Sequence, residues 1–177
     1  MNPYKYIRES TKNGETLLDL CCGIGLGLEG VEATEVTAVD IHQAYLDKVH
    51  ERCPKAKLVC SDALSYVQKA EDKSIDVVAL IDCVEHMTKE VGLSVIRHAK
   101  RIARKEVLLF TPEGYLKNEP HNAWGVEGGD EYQKHLSGWE VKEIEFEGFK
   151  LVERADDQDS QHGEKYNALM FRWWRDV

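Results

Sequence analysis

Short runs of apolar, often β-branched residues alternate along this chain with stretches whose apolar residues recur every three or four positions. The first pattern is typical of strands buried on both faces, and the second is typical of amphipathic helices. Because parallel strands joined by right-handed helical crossovers form an open sheet, the alternation predicts a doubly wound α/β fold. The five runs that carry this prediction are residues 16–20, 36–40, 57–60, 75–82 and 107–110.

The last third of the sequence follows a different pattern. Segment 112–139 is polar, contains Gly, Asn and aromatic residues, and has no clear period, so we expect a long loop there. A capping-box pattern from Ser137 to Glu140 predicts a short helix that ends near Glu147.

Two final apolar runs, 149–152 and 168–171, flank a polar stretch at 156–163 that predicts a hairpin turn. An antiparallel pair often closes a parallel sheet. We therefore expect one domain over residues 1–177, with a mostly parallel seven-stranded sheet and an antiparallel last strand.

Composition and charge restrict the class of partner. The 177 residues include 32 acidic and 23 basic side chains, a formal net charge of -9 at pH 7. Nucleic-acid-binding surfaces need clustered excess base, so we expect no nucleic-acid partner. No apolar run is long enough to cross a bilayer, and the first residues lack the apolar core of a signal peptide. The sequence therefore predicts a cytoplasmic protein with no membrane partner. Because the five cysteines form no CxxC pair, we also expect reduced thiols and no metal site.

The residues that follow the strands carry the functional prediction, because ligands of an open parallel sheet bind beyond the carboxyl ends of its strands. Gly23 and Gly25 follow the first strand, where glycines let the backbone turn tightly and approach a ligand. The second strand ends at Asp40, where a carboxylate can accept hydrogen bonds from both hydroxyls of a ribose. Together these residues predict a cofactor that contains a nucleoside.

Two residues bear on which cofactor this is. A dinucleotide fingerprint that starts at Gly23 would need a third glycine where the chain has Leu28. Asp19, two residues before the glycine loop, would repel a pyrophosphate but would suit an amino group or a sulfonium. Both oppose a nicotinamide-dependent oxidoreductase, which stays as an alternative at this point.

From Asp19 to Gly25 the chain reads Asp-Leu-Cys-Cys-Gly-Ile-Gly, which resembles the first motif of the class I S-adenosylmethionine-dependent methyltransferases. In that motif an acid precedes glycines at alternate positions, and Cys21 stands here for the first of them. The resemblance implies the Rossmann-like fold of that family, S-adenosylmethionine as cofactor, and methyl transfer as the reaction. Further matches occur in the family's order along the chain, at Asp40, Ser61-Asp62-Ala63, residues 81–87, Phe110-Thr111-Pro112 and residues 135–139.

The resemblance also implies a set of site residues. Asp40 would bind the ribose, Asp62 the adenine amino group, and Asp82 would lie near the methionine part of the cofactor. The full set of cofactor-binding residues that we predict is Asp19, Cys21, Gly23, Gly25, Asp40, Ile41, Asp62, Ala63, Asp82 and Cys83.

His86 follows the fourth strand close to the expected position of the methyl group. It is our candidate for a catalytic general base, with a hydrogen bond to the loop backbone as the alternative role. His121 and His135 are weaker candidates for the base.

Segment 112–139 is expected to cover an acceptor pocket, together with the N-terminal Tyr4. Its aromatic rings offer surface to an acceptor or to the sulfonium. The residues predicted to contact the acceptor are Tyr4, Trp124, Tyr132, His135 and Trp139. The favoured function is methyl transfer to a small-molecule acceptor, and an inactive domain that acts through a partner stays open as an alternative.

Overall fold

A computed structural model describes residues 1–118, 124–159 and 165–176. In these residues seven strands form one sheet in the order β3-β2-β1-β4-β5-β7-β6. Neighbours from β3 to β5 are parallel, whereas β7 is antiparallel to both β5 and β6. The predicted mostly parallel sheet with an antiparallel last strand is therefore confirmed. The strands are β1 (Thr16–Leu20), β2 (Glu35–Asp40), β3 (Lys57–Cys60), β4 (Ile75–Ile81), β5 (Ala103–Pro112), β6 (Lys150–Asp159) and β7 (Lys165–Trp174).

Helices cover both faces of the sheet, as strands buried on both sides require. Leu18 and Leu20 of β1 pack into a core with α3, α4 and α5, whereas Leu17 packs on the opposite face with α1 and α2. None of the described helices has the length and apolar character needed to cross a membrane. The helices are α1 (Tyr4–Ser10), α2 (Gln43–Val49), α3 (Ala63–Lys69), α4 (Lys89–Ile102) and α5 (Val141–Phe146).

Two local predictions are wrong. The cap of α5 is Glu140, which forms the capping box with Glu143, while the hydroxyl of Ser137 donates to the carbonyl of Val84. The polar stretch that we interpreted as a turn belongs in part to β6, which continues to Asp159. The register of β6 against β7 shifts there, so a polar strand follows a bulge that the sequence pattern does not reveal. Residues 160–163 of that stretch lie outside the described residues.

Candidate functional site

A cavity of about 550 Å³ lies at the carboxyl ends of β1, β2 and β4. This volume falls in the range of small-molecule sites, about 300–1,000 Å³. Its walls come from the loops that follow these strands and from residues 116–118 and 131–136. The cavity therefore lies at the edge of the sheet where the sequence predicts a site.

The loop after β1 has an unusual backbone. Cys21, Gly23 and Gly25 have φ angles of 58°, 53° and 79°, all in the left-handed region. A side chain in that region costs roughly 1–2 kcal/mol, which explains why a glycine is usual where this chain has Cys21. Cys21 and Gly23 line the cavity.

The two glycines of this loop make room for protein side chains. A β-carbon on Gly23 would lie 2.8 Å from the ring of Trp124, and one on Gly25 would lie 3.2 Å from Val49. The Trp124 ring also packs edge-on against Tyr45, at 4.8 Å between ring centroids. Gly25 is not among the cavity-lining residues, so its place in the structure is in packing against α2.

Asp40 holds the glycine loop to the end of β2. One carboxylate oxygen accepts a hydrogen bond from the backbone N–H of Gly23 at 2.8 Å, and the other accepts from that of His42 at 2.9 Å. A carboxylate has about four acceptor positions, so two hydroxyls can still bind to it. Asp40 lines the cavity while only 7% exposed, and this burial raises its pKa.

Asp19 places a second carboxyl group in the same part of the cavity. Its residue is 3% exposed, and burial, followed by the charge of Asp40, raises its pKa to about 7. A cationic group bound in the cavity would stabilise the ionised form of Asp19. S-adenosylmethionine carries both a cation and a ribose diol, so Asp19 and Asp40 fit that cofactor.

The loop after β3 lines the cavity as predicted, but Asp62 has two roles. Its carboxylate caps α3 by accepting a hydrogen bond from the N–H of Ser65 at 2.8 Å, and this bond lowers its pKa. Asp62 and Ala63 also border the cavity. Ile41, at the end of β2, adds a half-exposed apolar side chain to the same wall.

The loop after β4 contains a pair of acids. Asp82 has a φ of 47° and is exposed to the cavity, where partial desolvation by the cavity walls raises its pKa to about 6. Glu85 is 2% exposed, and burial together with the charge of Asp82 raises its pKa well above the usual value. Thr111 donates its hydroxyl to Glu85 at 3.2 Å. Cys83, predicted to bind the cofactor, is fully buried in the core and does not line the cavity.

His86 and His135 meet in the wall of the cavity. Their rings pack edge-on with centroids 4.9 Å apart, and both rings line the cavity. Burial, followed by the charge of His135, lowers the pKa of His86 to about 4. The carbonyl of Glu85 accepts hydrogen bonds from the N–H groups of Leu136 and Ser137, which fixes this part of segment 112–139 to the loop after β4.

Trp139 does not line the cavity, so the prediction that it contacts an acceptor there is wrong. Its side chain is wholly buried in the core, with the Lys89 ammonium 4.0 Å from the ring centroid and Gly92 directly against the ring. Its backbone pairs with Gly114 through two hydrogen bonds of 2.8 and 3.3 Å. Trp139 therefore anchors the segment to the core.

The other predicted acceptor-side residues, Tyr4, Trp124, Tyr132 and His135, all line the cavity. His121 lies outside the described residues. Tyr45 and Tyr166 also line the cavity and were missed. Tyr166 belongs to β7, and only the antiparallel register with β5, in which Ala168 lies opposite Pro112, places it at this edge.

Comparison with known proteins identifies the family. A family model described as a methyltransferase domain matches residues 17–106, half of the chain. No curated protein sequence matches the chain significantly. The chain therefore belongs to the methyltransferase domain family. It is an S-adenosylmethionine-dependent methyltransferase, and this excludes the oxidoreductase alternative.

Solved structures share the fold at low sequence identity. An S-adenosylmethionine-dependent methyltransferase from Archaeoglobus fulgidus is 18% identical over 96% of this chain and 90% of its own, with a TM-score of 0.64. A second neighbour is the 1,6-didemethyltoxoflavin-N1-methyltransferase of Burkholderia thailandensis, solved with 1,6-didemethyltoxoflavin and S-adenosylhomocysteine. It is 12% identical over 96% of this chain and 76% of its own, with a TM-score of 0.66. The small RNA methyltransferase HEN1 is 17% identical over 96% of this chain and 24% of its own, with a TM-score of 0.63. The acceptors of such structural neighbours thus differ in kind.

Proposed function

We propose that this methyltransferase transfers the methyl group to a small molecule bound at the His86 end of the cavity. The observation that carries the proposal is that a single cavity joins Asp19 and Asp40 at one end to His86 and His135 at the other. A cofactor held by the first pair of residues and an acceptor held by the second would meet inside the same enclosed space.

The cofactor roles follow from the acids at the strand ends. Asp40 accepts from the ribose hydroxyls, Asp62 from the adenine amino group, and Asp19 contacts the ammonium group. The cofactor supplies a methyl group that is already activated by the positive sulfonium. The protein therefore contributes mainly alignment of the acceptor with the methyl group.

His86 binds the acceptor more readily than it removes a proton from it. Its Nδ1 lies 3.3 Å from the carbonyl oxygen of Lys134, and a carbonyl only accepts, so Nδ1 carries the proton. Nε2 is then the acceptor nitrogen of a neutral ring, able to accept a hydrogen bond from a hydroxyl or amine. A pKa of about 4 makes this ring a weaker base than an ordinary histidine.

The charges of the cavity wall favour a small neutral or cationic acceptor. Phosphates of RNA would meet more carboxylates than ammonium groups there, and the whole chain has a net charge of -9. The acidic residues of the wall are Asp19, Asp40, Asp62, Asp82, Glu131 and Asp159, and its lysines are Lys117 and Lys134.

Calorimetry with S-adenosylhomocysteine tests the assignment of the cofactor end. Asp40→Ala should weaken binding at least about tenfold, because it removes a charge-assisted acceptor of hydrogen bonds. Asp47→Ala is the matched control, since Asp47 is an exposed residue of α2 outside the cavity lining, and it should bind like the wild type. Unchanged affinity of Asp40→Ala would refute the ribose assignment.

A labelling experiment tests the class of acceptor. The protein is incubated with methyl-labelled S-adenosylmethionine and a cell extract, and the products are separated into RNA, protein and low-molecular-mass fractions. We expect transfer of label into the low-molecular-mass fraction. Label that is found mainly in RNA, and is released by ribonuclease, would overturn the proposal of a small-molecule acceptor.

A further inference from the structure

Three potential metal ligands converge beside the acceptor end of the cavity. One ligand atom from each of Glu85, His86 and His135 lies within 4.8 Å of the other two. The residues come from the loop after β4 and from the far end of segment 112–139, so tertiary folding alone brings them together.

The carboxylate of Glu85 has an unsatisfied oxygen. Oε2 accepts the hydroxyl of Thr111, whereas Oε1 is buried and has no hydrogen-bond partner within 3.5 Å among the described residues. Asp82 is the nearby acid that interacts with this carboxyl group. Burying a polar atom without a partner costs on the order of 1–3 kcal/mol. A cation bound between Glu85 and the two imidazoles would provide the missing partner.

Both imidazole rings are oriented as they are in metal sites. Nδ1 of His86 lies 3.3 Å from the carbonyl of Lys134, and Nδ1 of His135 lies 2.6 Å from that of Leu116. Because a carbonyl can only accept, each Nδ1 donates, which leaves Nε2 as the nitrogen whose lone pair can bind a metal ion when the ring carries one proton. A backbone carbonyl on the second nitrogen is the usual support for a histidine that binds a metal through the first.

We propose that Glu85, His86 and His135 form a binding site for a divalent transition metal ion, such as Zn²⁺. Two imidazoles and one carboxylate are a ligand set that such ions accept. Atoms within 4.8 Å of one another reach bonding distance, about 2.0–2.2 Å from a common ion, after side-chain shifts of under about 1 Å. The sequence predicts no metal site because its cysteines have no metal-binding spacing. Glu85 and His135 are 50 residues apart, so their spacing gives no such signal either.

Three protein ligands leave a coordination position open, as in catalytic rather than structural metal sites. His86 and His135 line the cavity, so the open position is accessible to an acceptor. With the ion bound, Nε2 of His86 is a metal ligand, and the acceptor would bind the ion in place of the hydrogen bond to the free histidine. An acceptor oxygen bound there would lose its proton more easily, since a bound metal lowers the pKa of a coordinated hydroxyl or water. This second step rests on the proposed function, whereas metal binding itself does not.

Metal titration of the full chain tests the site without cofactor or acceptor. Protein freed of metal by chelation is titrated with Zn²⁺ by calorimetry and with Co²⁺ by visible absorption. We expect one ion per chain and Co²⁺ absorption typical of nitrogen and oxygen ligands. Glu85→Gln and His135→Gln should each weaken binding at least about 100-fold, since even the loss of an outer-shell partner costs 10- to 100-fold. His50→Gln, which changes an exposed histidine at the end of α2, should bind like the wild type.

The cysteines provide the main competing ligands, and Cys60 is exposed. A thiolate-to-Co²⁺ charge-transfer band that persists in His135→Gln would assign the ion to a cysteine and overturn the proposal. Equal affinity in the wild type and both variants, or no binding by the wild type, would also overturn it. Each variant is also titrated with S-adenosylhomocysteine, so that a folded protein is verified in the same experiment. Intact cofactor binding together with absent metal binding would reject the metal site alone and leave the proposed function standing.

Discussion

Ionisation of Asp19 should make cofactor binding depend on pH. Burial and the charge of Asp40 raise the pKa of this carboxyl group to about 7, from an ordinary value of 3.8. In the proposed complex Asp19 contacts the ammonium group of the cofactor and must be ionised. Binding below about pH 7 therefore requires Asp19 to release a proton, and affinity should rise with pH.

The size of the effect follows from the fraction of protein that is already ionised. With a pKa near 7, about a tenth of the unliganded protein has an ionised Asp19 at pH 6, and about nine tenths at pH 8. S-adenosylhomocysteine should therefore bind about tenfold more tightly at pH 8 than at pH 6 through this group alone. The raised pKa decides that affinity increases with pH. Ionised Asp19 is the form that binds the cation, and in the unliganded protein the environment of Asp19 disfavours that form.

Calorimetry at both pH values, on the wild type and on Asp19→Asn, isolates this contribution. The amide of the variant has nearly the same shape as the carboxyl group but does not ionise. The affinity at pH 8 divided by the affinity at pH 6 should therefore be about tenfold smaller for Asp19→Asn than for the wild type. The titrations of the ligand and of other groups, including Asp82 with a pKa of about 6, are present in both proteins and largely cancel. Equal ratios in the two proteins, or proton uptake by the wild type at pH 6, would refute the reasoning.

Two further substitutions test the strained loop and the anchor of segment 112–139. Because Cys21 has a φ of 58°, Cys21→Gly should be about 1 kcal/mol more stable than Cys21→Ala in urea unfolding, and equal stability would show that the loop holds a side chain without strain. Because the Trp139 ring is wholly buried, Trp139→Ala should lower the free energy of unfolding by about 3–5 kcal/mol, and a loss under about 1 kcal/mol would contradict its anchoring role.

The sheet could be predicted from the sequence because its signal is local and repeated. Each buried strand is a short apolar run, and three of the four connections between the parallel strands have a helical period, so chain order and the right-handed crossover rule leave few topologies. The end of β6 could not be predicted in this way. Its last residues are polar, and they extend the strand only because backbone hydrogen bonds to β7 continue beyond a bulge.

The meeting of Asp19 and Asp40 in one cavity could be predicted from the sequence for a related reason. The carboxyl ends of parallel strands lie at one edge of the sheet, so acids that are distant in sequence, such as Asp19 and Asp40, meet there. Cys83 shows the limit of this rule, because it follows β4 as expected but points into the core. Packing decides which residues of a loop face the cavity, and this cannot be predicted from the residue type alone.

The part of the cavity wall that segment 112–139 forms depends on tertiary contacts. Such contacts produce no periodic pattern in the sequence. Trp124 and Trp139 are both aromatic residues in segment 112–139, yet one lines the cavity and the other fills the core. Glu85 and His135 approach each other only because the segment folds back onto the loop after β4. Neither outcome can be derived from the spacing of these residues.

The pairing of Gly114 with Trp139 has a consequence for how acceptor preference can change. The segment leaves and re-enters the fold through two residues that are hydrogen-bonded to each other, so its ends are held together whatever lies between them. Doubling the length of a flexible loop closed in this way costs only about 0.6 kcal/mol in chain entropy. The residues between these two points, several of which line the cavity, can therefore be replaced as one unit, by evolution or by grafting, while the pairing of the seven strands stays unchanged.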